Sequence, residues 1–246
     1  MPIVVSGASW ADLPGVSLTA DSEAVGLGVG ALRTPVLGEV WRTGAGSTRN
    51  LRVDLGSQRS ITAVVLQAPR DGLLPEATAT VRLTLSTSSQ NGTDAGDVTA
   101  SLSMPRGYWC WVPAAAVNAR YLRLQLTSTQ PYLQFGRMWV AGGLRTTKNI
   151  AESGYEPGAV DETAQATRSQ VQVTVPGLSE AEADLLEDIG LQAGTQRQVL
   201  VIPRTERGAR TAIIGKFTAI PAPKVRQAWG GGQRLHTASL SIKEDR

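Results

Sequence analysis

The 246-residue sequence predicts a mainly β protein with a single short helix, on three observations. Apolar and polar residues alternate over short runs, as at Leu51–Leu55, Val81–Leu85 and Leu122–Leu126. That period of two is the mark of a strand with one face buried. Glycine and proline number 26 and 13, so turns cut these runs often. Helical spacing is convincing over one stretch only, 179–190.

Taken in order, Ile3–Val5 is expected as an edge strand. Val25–Gly30 places Gly26, Gly28 and Gly30 in alternation, but no helix opens at Leu32–Pro35, so it reads as an extended segment and not a phosphate loop. Asn50–Gly56 and Ile61–Leu66 read as two arms of a central hairpin turning at Gly56–Ser60. Asp71–Pro75 is a loop, Thr78–Ser86 a strand, and Ser88–Gly96 a polar segment turning at Asn91-Gly92. Asn91-Gly92-Thr93 also fits a glycosylation acceptor and is read as a turn alone. Tyr108–Val112, Ala119–Leu126 and Leu133–Ala141 are the remaining strands of this half, which Gly142-Gly143 closes.

Residues 145–168 are polar and read as a linker or an exposed excursion, and Gln170–Val175 as a strand. The helix starts at Ser179, with Glu182 completing a capping box. Leu185, Leu186 and Ile189 form its apolar stripe and Gly190 its stop. The acids Glu180, Glu182, Asp184, Glu187 and Asp188 are expected on its solvated face. Strands follow at Gln198–Ile202, Thr211–Ile220 and Leu235–Ile242, joined by a charged hairpin loop at Pro203–Ala209 and a flexible loop at Trp229–Gly232.

Composition narrows the function. The net charge is +3 and the charges are interspersed, so no nucleic-acid partner is expected. Nothing approaches an apolar run of about 18 residues, and no secretory leader is read, so the expectation is synthesis in the cytoplasm without membrane insertion. One cysteine, Cys110, allows neither an internal disulfide nor a multi-cysteine metal site, and is expected as a buried thiol. His236 is the sole histidine, lies in a strand, and has no Gly-x-Ser-x-Gly partner. Two carboxylates would suffice for glycoside hydrolysis, but Asp54, the most prominent acid, sits inside a strand. No enzyme activity, cofactor or metal is expected. Tyr108, Trp109, Trp111 and Tyr132 lie near strand ends, where sugars could stack on their faces, against a competing role in packing.

Trp41, Leu51–Gly56, Ile61–Leu66, Ala119–Leu124 and Phe135–Val140 occur in the order seen in discoidin-like, galactose-binding-like (F5/8 type C-like) domains, which residues 1–145 resemble. The resemblance implies a jelly-roll β-sandwich. It departs from secreted members in lacking their terminal cysteine pair, and no carboxylate cluster suggests calcium. Residues 146–246 resemble the C-terminal part of tailed-phage distal-tail and minor tail proteins. The matching order is a short helix, Val199–Val201, a polar hairpin, Ile213–Phe217 and Ser239–Glu244. Together the resemblances imply a β-rich assembly domain, joined by the extreme N-terminus, that builds a cyclic homo-oligomer at a phage tail tip in the virion. Sixfold symmetry is expected, with threefold as the alternative. The partners would be tail tube, hub and fibres, with the sandwich at the ring's periphery. The alternative function is a carbohydrate-binding adhesion module on a host surface glycan. Leu235, Thr237, Ser239 and Ser241 of the last strand are the expected assembly interface, through sheet-edge pairing.

Overall fold

The computed structural model describes residues 2–36, 38–69, 72–147, 155–161, 168–226 and 235–244. The chain divides into two compact units, residues 9–142 and residues 1–8 with 143–246. Strand β1 (Val4–Ser6) belongs to the second of these.

The unit of residues 9–142 is a sandwich. Its strands are β2 (Ser17–Ala20), β3 (Trp41–Arg42), β4 (Thr48–Ile61), β5 (Ala63–Gln67), β6 (Thr80–Ser86), β7 (Gly96–Ser101), β8 (Tyr108–Trp111), β9 (Val117–Thr127), β10 (Gln134–Phe135) and β11 (Arg137–Ala141). One sheet runs β2-β4-β9-β6-β7, a second β11-β5-β8, and a short pair β10-β3. Alternate residues of both larger sheets meet in one core, with Leu51, Val53, Leu83, Leu122 and Leu124 from one and Val64, Leu66, Trp109 and Val140 from the other.

The expected central hairpin is absent. β4 runs unbroken from Thr48 to Ile61 and pairs with β9 throughout, its register shifting between Asp54 and Arg59. Gly56, at φ +74°, carries that bulge, and its amide donates to the Asp54 carboxylate at 2.8 Å. The chain then changes sheets at Thr62, and β5 pairs with β8 and β11 instead. A glycine followed by polar residues fits a bulge as well as a turn, so the sequence could not separate them. The expected strand Leu133–Ala141 is two, since Gly136 leaves the ladder to donate to the Gln67 carbonyl at 2.9 Å. β7, inside and beyond a segment read as polar turn, is an edge strand with alternate residues exposed and little apolar signal.

A buried arginine locks this sandwich. Arg137, 5% exposed, donates to Asp12 at 2.9 Å and to the Leu32 carbonyl at 3.2 Å, and pairs with Asp12 a second time through Nη2. Asp12 and Leu32 lie in the two 3-10 turns Trp10–Asp12 and Val29–Arg33, so one side chain of β11 ties both down. Desolvation raises the Asp12 carboxyl above its ordinary range, and hydrogen bonding and charge from Arg137 offset only part of it.

The second unit holds β12 (Leu144–Arg145), β13 (Tyr155–Asp161), β14 (Arg168–Leu178), α1 (Glu180–Ala193), β15 (Val199–Ile202), α2 (Gly208–Thr211), β16 (Ile213–Phe217), β17 (Lys224–Arg226) and β18 (Leu235–Glu244). Its sheet runs β12-β1-β15-β16-β18-β14-β13, with β17 also on β18. Ile3, Val5, Val173, Leu186, Ile189, Val201 and Leu240 are among the residues of its core. Among the described residues, no helix is long and apolar enough to cross a membrane.

Several expectations change here. β1 is no edge: β12 and β15 flank it, and all three of its residues are buried. Tyr155–Asp161, within the expected linker, is a strand, while the rest of 148–154 and 162–167 and the Trp229–Gly232 loop lie outside the described residues. Pro203–Ala209 is no plain hairpin loop: a 3-10 turn at Thr205–Arg207 leads into α2. The strand expected over Thr211–Ile220 spans Ile213–Phe217.

The capping box forms, but α1 runs past Gly190 to Ala193 and ends at Gly194, φ +55°. Gly190 serves close packing instead: a Cβ there would come within 2.9 Å of Pro221. Leu185 is 40% exposed, and Ala183 and Ala193 complete the buried stripe with Leu186 and Ile189. Glu182 is not on the solvated face, being 8% exposed. Burial pushes its carboxyl up, but amide and hydroxyl donors from Ser179 and Thr147 outweigh this and hold it below the ordinary value.

Two outcomes follow from this packing. Arg137→Ala, which leaves Asp12 in a desolvated site without its cation, is expected to cost about 3–5 kcal/mol in denaturant unfolding, and Arg137→Met with Asp12→Leu to recover much of it. An unchanged midpoint in the single variant would show that the pair carries no stability. Burial pushes the Cys110 thiol up to about 12, so alkylation by iodoacetamide at pH 8 should be slow in the native protein and fast after unfolding.

Candidate functional site

At one end of the sandwich the β3–β4, β5–β6 and β9–β10 connections converge. Their scaffold is polar and largely built from backbone. Thr43 donates its amide to the Leu133 carbonyl at 2.9 Å, and the Thr43 hydroxyl accepts from the Leu133 amide at 2.9 Å. Arg49, 1% exposed, donates to the carbonyls of Gly44, Ser128 and Gln130 at 3.4, 3.4 and 2.7 Å. Burial lowers its pKa, with the nearby Glu76 charge acting against this.

Glu76 fixes the β5–β6 connection to the β9–β10 connection. Its carboxylate accepts from the Ser128 and Thr129 hydroxyls at 2.8 and 2.7 Å and from the Thr129 amide at 2.5 Å. These donors, the Thr129 hydroxyl foremost, hold the Glu76 carboxyl below its usual range. Gln130 returns the tie, accepting from the Glu76 amide at 3.1 Å and donating to the Leu74 carbonyl at 3.1 Å. A loop pinned at this many points keeps Leu73 and Leu74 about half exposed without collapsing onto the core.

On this scaffold three side chains form a cluster. Arg42 lies over the Tyr132 ring, 4.5 Å from its centroid, and donates to Gln134 Oε1 at 3.1 Å. The β3–β10 pairing sets the geometry: Arg42 faces Gln134 in register, and beneath them Trp41 faces Phe135, with ring centroids 5.8 Å apart. Arg42 Nε has no partner among the described residues. Beside β3, Gly26, Leu27, Gly28, Gly30, Ala31, Gly38, Glu39 and Val40 line an open pocket of 450 Å³. Glycines give it backbone walls, and its size falls in the range of roughly 300–1,000 Å³ usual for small-molecule sites. The cluster can donate and accept hydrogen bonds beside an aromatic ring, and it holds no nucleophile and base in contact.

The four expected sugar-stacking residues are not brought together. Tyr132 is at this end and half-buried. Tyr108 and Trp109, 1% and 4% exposed, leave the candidate set, because buried rings offer no face to a sugar. Tyr108 accepts from Gln67 Nε2 at 3.3 Å. Trp111 is half-buried against the core, three residues along β8 from Tyr108 and so about 10 Å away. Arg42 and Gln134 were missed. Arg42 directly follows the conspicuous Trp41, but its partners lie about ninety residues away in the chain and leave no local pattern.

The expected interface at β18 also changes. The strand pairs with β14 over Gln170–Leu178 on one side, and on the other with β17 over Leu235–Thr237 and with β16 over Ile242–Glu244. Leu235, Thr237, Ser239 and Ser241 therefore lie on a strand inside the sheet, not at an edge, among the described strands. Among the described strands, β13 ends the sheet on that side.

The family model described as a NedA-like, galactose-binding domain, of the F5/8 type C class, matches residues 31–124. No curated protein matches the chain. Solved structures similar to it include the lectin domain of Lectinolysin complexed with Lewis B antigen, at 16% identity and TM-score 0.48, covering 56% of this chain and 98% of that one. The family 32 module of Clostridium perfringens NanJ in complex with galactose aligns at 11% identity and TM-score 0.46, covering 56% and 100%. Chitosan-binding module 1 of a Paenibacillus sp. IK-5 chitosanase/glucanase aligns at 20% and 0.45, covering 55% and 99%. The sandwich is a galactose-binding-like jelly-roll domain, carried in one chain with a β-rich C-terminal part.

Proposed function

We propose that the galactose-binding-like unit is a non-catalytic carbohydrate-binding module and that it takes its sugar at the Arg42, Tyr132 and Gln134 cluster. That cluster is the observation that carries the reading. A sugar ring presents neighbouring hydroxyls at its edge and C–H groups on its face. The Arg42 guanidinium, held in place by the Gln134 amide, which is 6% exposed, suits the first, and the tyrosine ring suits the second. The match of residues 31–124 to a galactose-binding family model supports the same class of ligand. The pinned loops around the cluster lower the ordering cost of binding.

A glycan array probed with the full chain, followed by titration of the best ligand, tests this. Specific binding is expected, with Arg42→Ala and Tyr132→Ala weakening it roughly tenfold or more at unchanged Tm, as for loss of a charge-assisted hydrogen bond or an aromatic contact. Trp111→Ala should bind like the parent. No glycan bound at millimolar concentration, or equal binding by all three variants, would overturn the assignment.

The other unit supports a second reading of the whole chain, as a distal-tail or minor tail protein of a phage tail tip that joins tail tube to host-recognition apparatus. What favours it is a separate sheet and core built from residues 1–8 and 143–246, in which β13 is the last strand on its side among the described ones. Sheet edges pair readily between subunits. In this reading the chain assembles with itself in a ring of six in the virion and offers its sugar site to a host glycan. Native mass spectrometry should find a closed cyclic oligomer. A strict monomer at high concentration, absent from purified particles, would rule the reading out.

A further inference from the structure

The outer face of the five-stranded sheet carries chemistry that the sugar site does not use. Directly opposed residues of antiparallel strands project to the same side. One row crosses all five strands: Thr19 faces Arg52, Arg52 faces Arg123, Arg123 faces Thr84, and Thr84 faces Asp97. Their neighbours Leu51, Val53, Leu83, Leu85, Leu122 and Leu124 point the other way, into the core.

Arg52 and Arg123 thus stand as like charges on adjacent strands, with Cβ atoms roughly 5 Å apart, an arrangement that costs stability by itself. The carboxylates around them have their hydrogen bonds taken by other residues, although Asp97 lies near enough to Arg123 to feel its charge. Asp97 is held by Arg82 at 2.8 and 2.5 Å, Asp54 by Arg120 at 2.8 and 3.0 Å, and Asp21 by the Asn50 amide groups at 2.8 and 2.6 Å. The Arg52 side chain makes no hydrogen bond or ion pair among the described residues. Arg123 has one acceptor, Asn91 Oδ1 at 3.3 Å, and its Nε is buried without a partner. Next to it in register, Thr84 is 1% exposed, and its hydroxyl also has no partner. Two guanidiniums and an orphaned buried hydroxyl therefore share one row, with the Arg52 side chain, Arg123 Nε and the Thr84 hydroxyl left unpartnered and Asp97 at the row's end already held by Arg82.

We propose that Arg52, Arg123 and Thr84 form an oxyanion-binding site that takes a sulfate, phosphate or carboxylate group. An anion seated between the guanidiniums turns their repulsion into charge-assisted hydrogen bonds and gives Arg123 Nε and the Thr84 hydroxyl an acceptor. The site is on a different surface from the Arg42 cluster and does not depend on it. The group could come from an acidic sugar or from a free inorganic anion.

The test is a titration of the full chain with sodium sulfate against sodium chloride at matched ionic strength, reading arginine Nε–Hε resonances and Tm. Sulfated lactose and lactose form a second arm. Sulfate stabilises folded proteins generally through exclusion from their surface, so only a saturable response lost in the variants counts. Saturable shifts at Arg52 and Arg123 are expected. Arg52→Gln should weaken sulfate binding roughly tenfold, as for loss of one charge-assisted bond, while remaining as stable as the parent in chloride because the opposed charge is gone. Thr84→Val should weaken it less. Sulfated lactose binding more tightly than sulfate supports the site with a glycan as its source; equal affinities support it with a free anion. Arginine resonances that do not move, or a sulfate response unchanged in both Arg52→Gln and Arg123→Gln, would overturn the proposal.

Discussion

The ladder between β4 and β9 is the constraint on which the sandwich depends. These two strands stay paired from Thr48 opposite Thr127 to Ile61 opposite Val117. Their period of two sends Leu51, Val53, Leu122 and Leu124 inward and Arg52, Asp54, Tyr121 and Arg123 outward. A slip of one residue would bury the arginines and expose the leucines, so the register is held by the whole core. The bulge after Asp54 bends the strand without losing that pairing. It lets the chain reach Thr62 and enter the second sheet at β5, so the two layers enclose one core.

Buried arginines do a second kind of work. Arg49 and Arg137 are 1% and 5% exposed, and both spend their donors mainly on backbone carbonyls or a carboxylate of distant segments. Loops cannot bury their polar backbone without partners, and an apolar side chain could not supply them. A guanidinium can satisfy several carbonyls at once from a fixed plane. Around Arg49 and Glu76 the result is an ordered loop end, and on it the Arg42, Tyr132 and Gln134 cluster keeps its shape.

The second unit is closed by the chain's first strand. β1 lies between β12 and β15, so residues from both ends of the sequence share one sheet and one core. Glu182 links the start of α1 to Thr147 in addition to capping the helix, which ties the segment after β12 to the helix it precedes.

Local pattern was enough for the sequence to determine the β class, the strands at Leu51–Leu55, Thr80–Ser86 and Ala119–Leu126, the helix with its capping box, and the galactose-binding-like order of motifs in the first half. The strands and the helix rest on spacing between near neighbours, which survives without three-dimensional context, and the order of motifs on a family resemblance. Only the tertiary structure decided whether Gly56 made a turn or a bulge, because that depends on whether β9 continues alongside. It alone placed β18 inside the sheet, since an edge is defined by which strands lie next to it. The same holds for the two surfaces of interest. Arg42 meets Gln134, and Arg52 meets Arg123, across wide gaps in the chain, and strand register rather than any motif brings them together. Burial took Tyr108 and Trp109 out of the candidate set, and the sequence could not foresee it because an aromatic run looks the same in a core as on a surface.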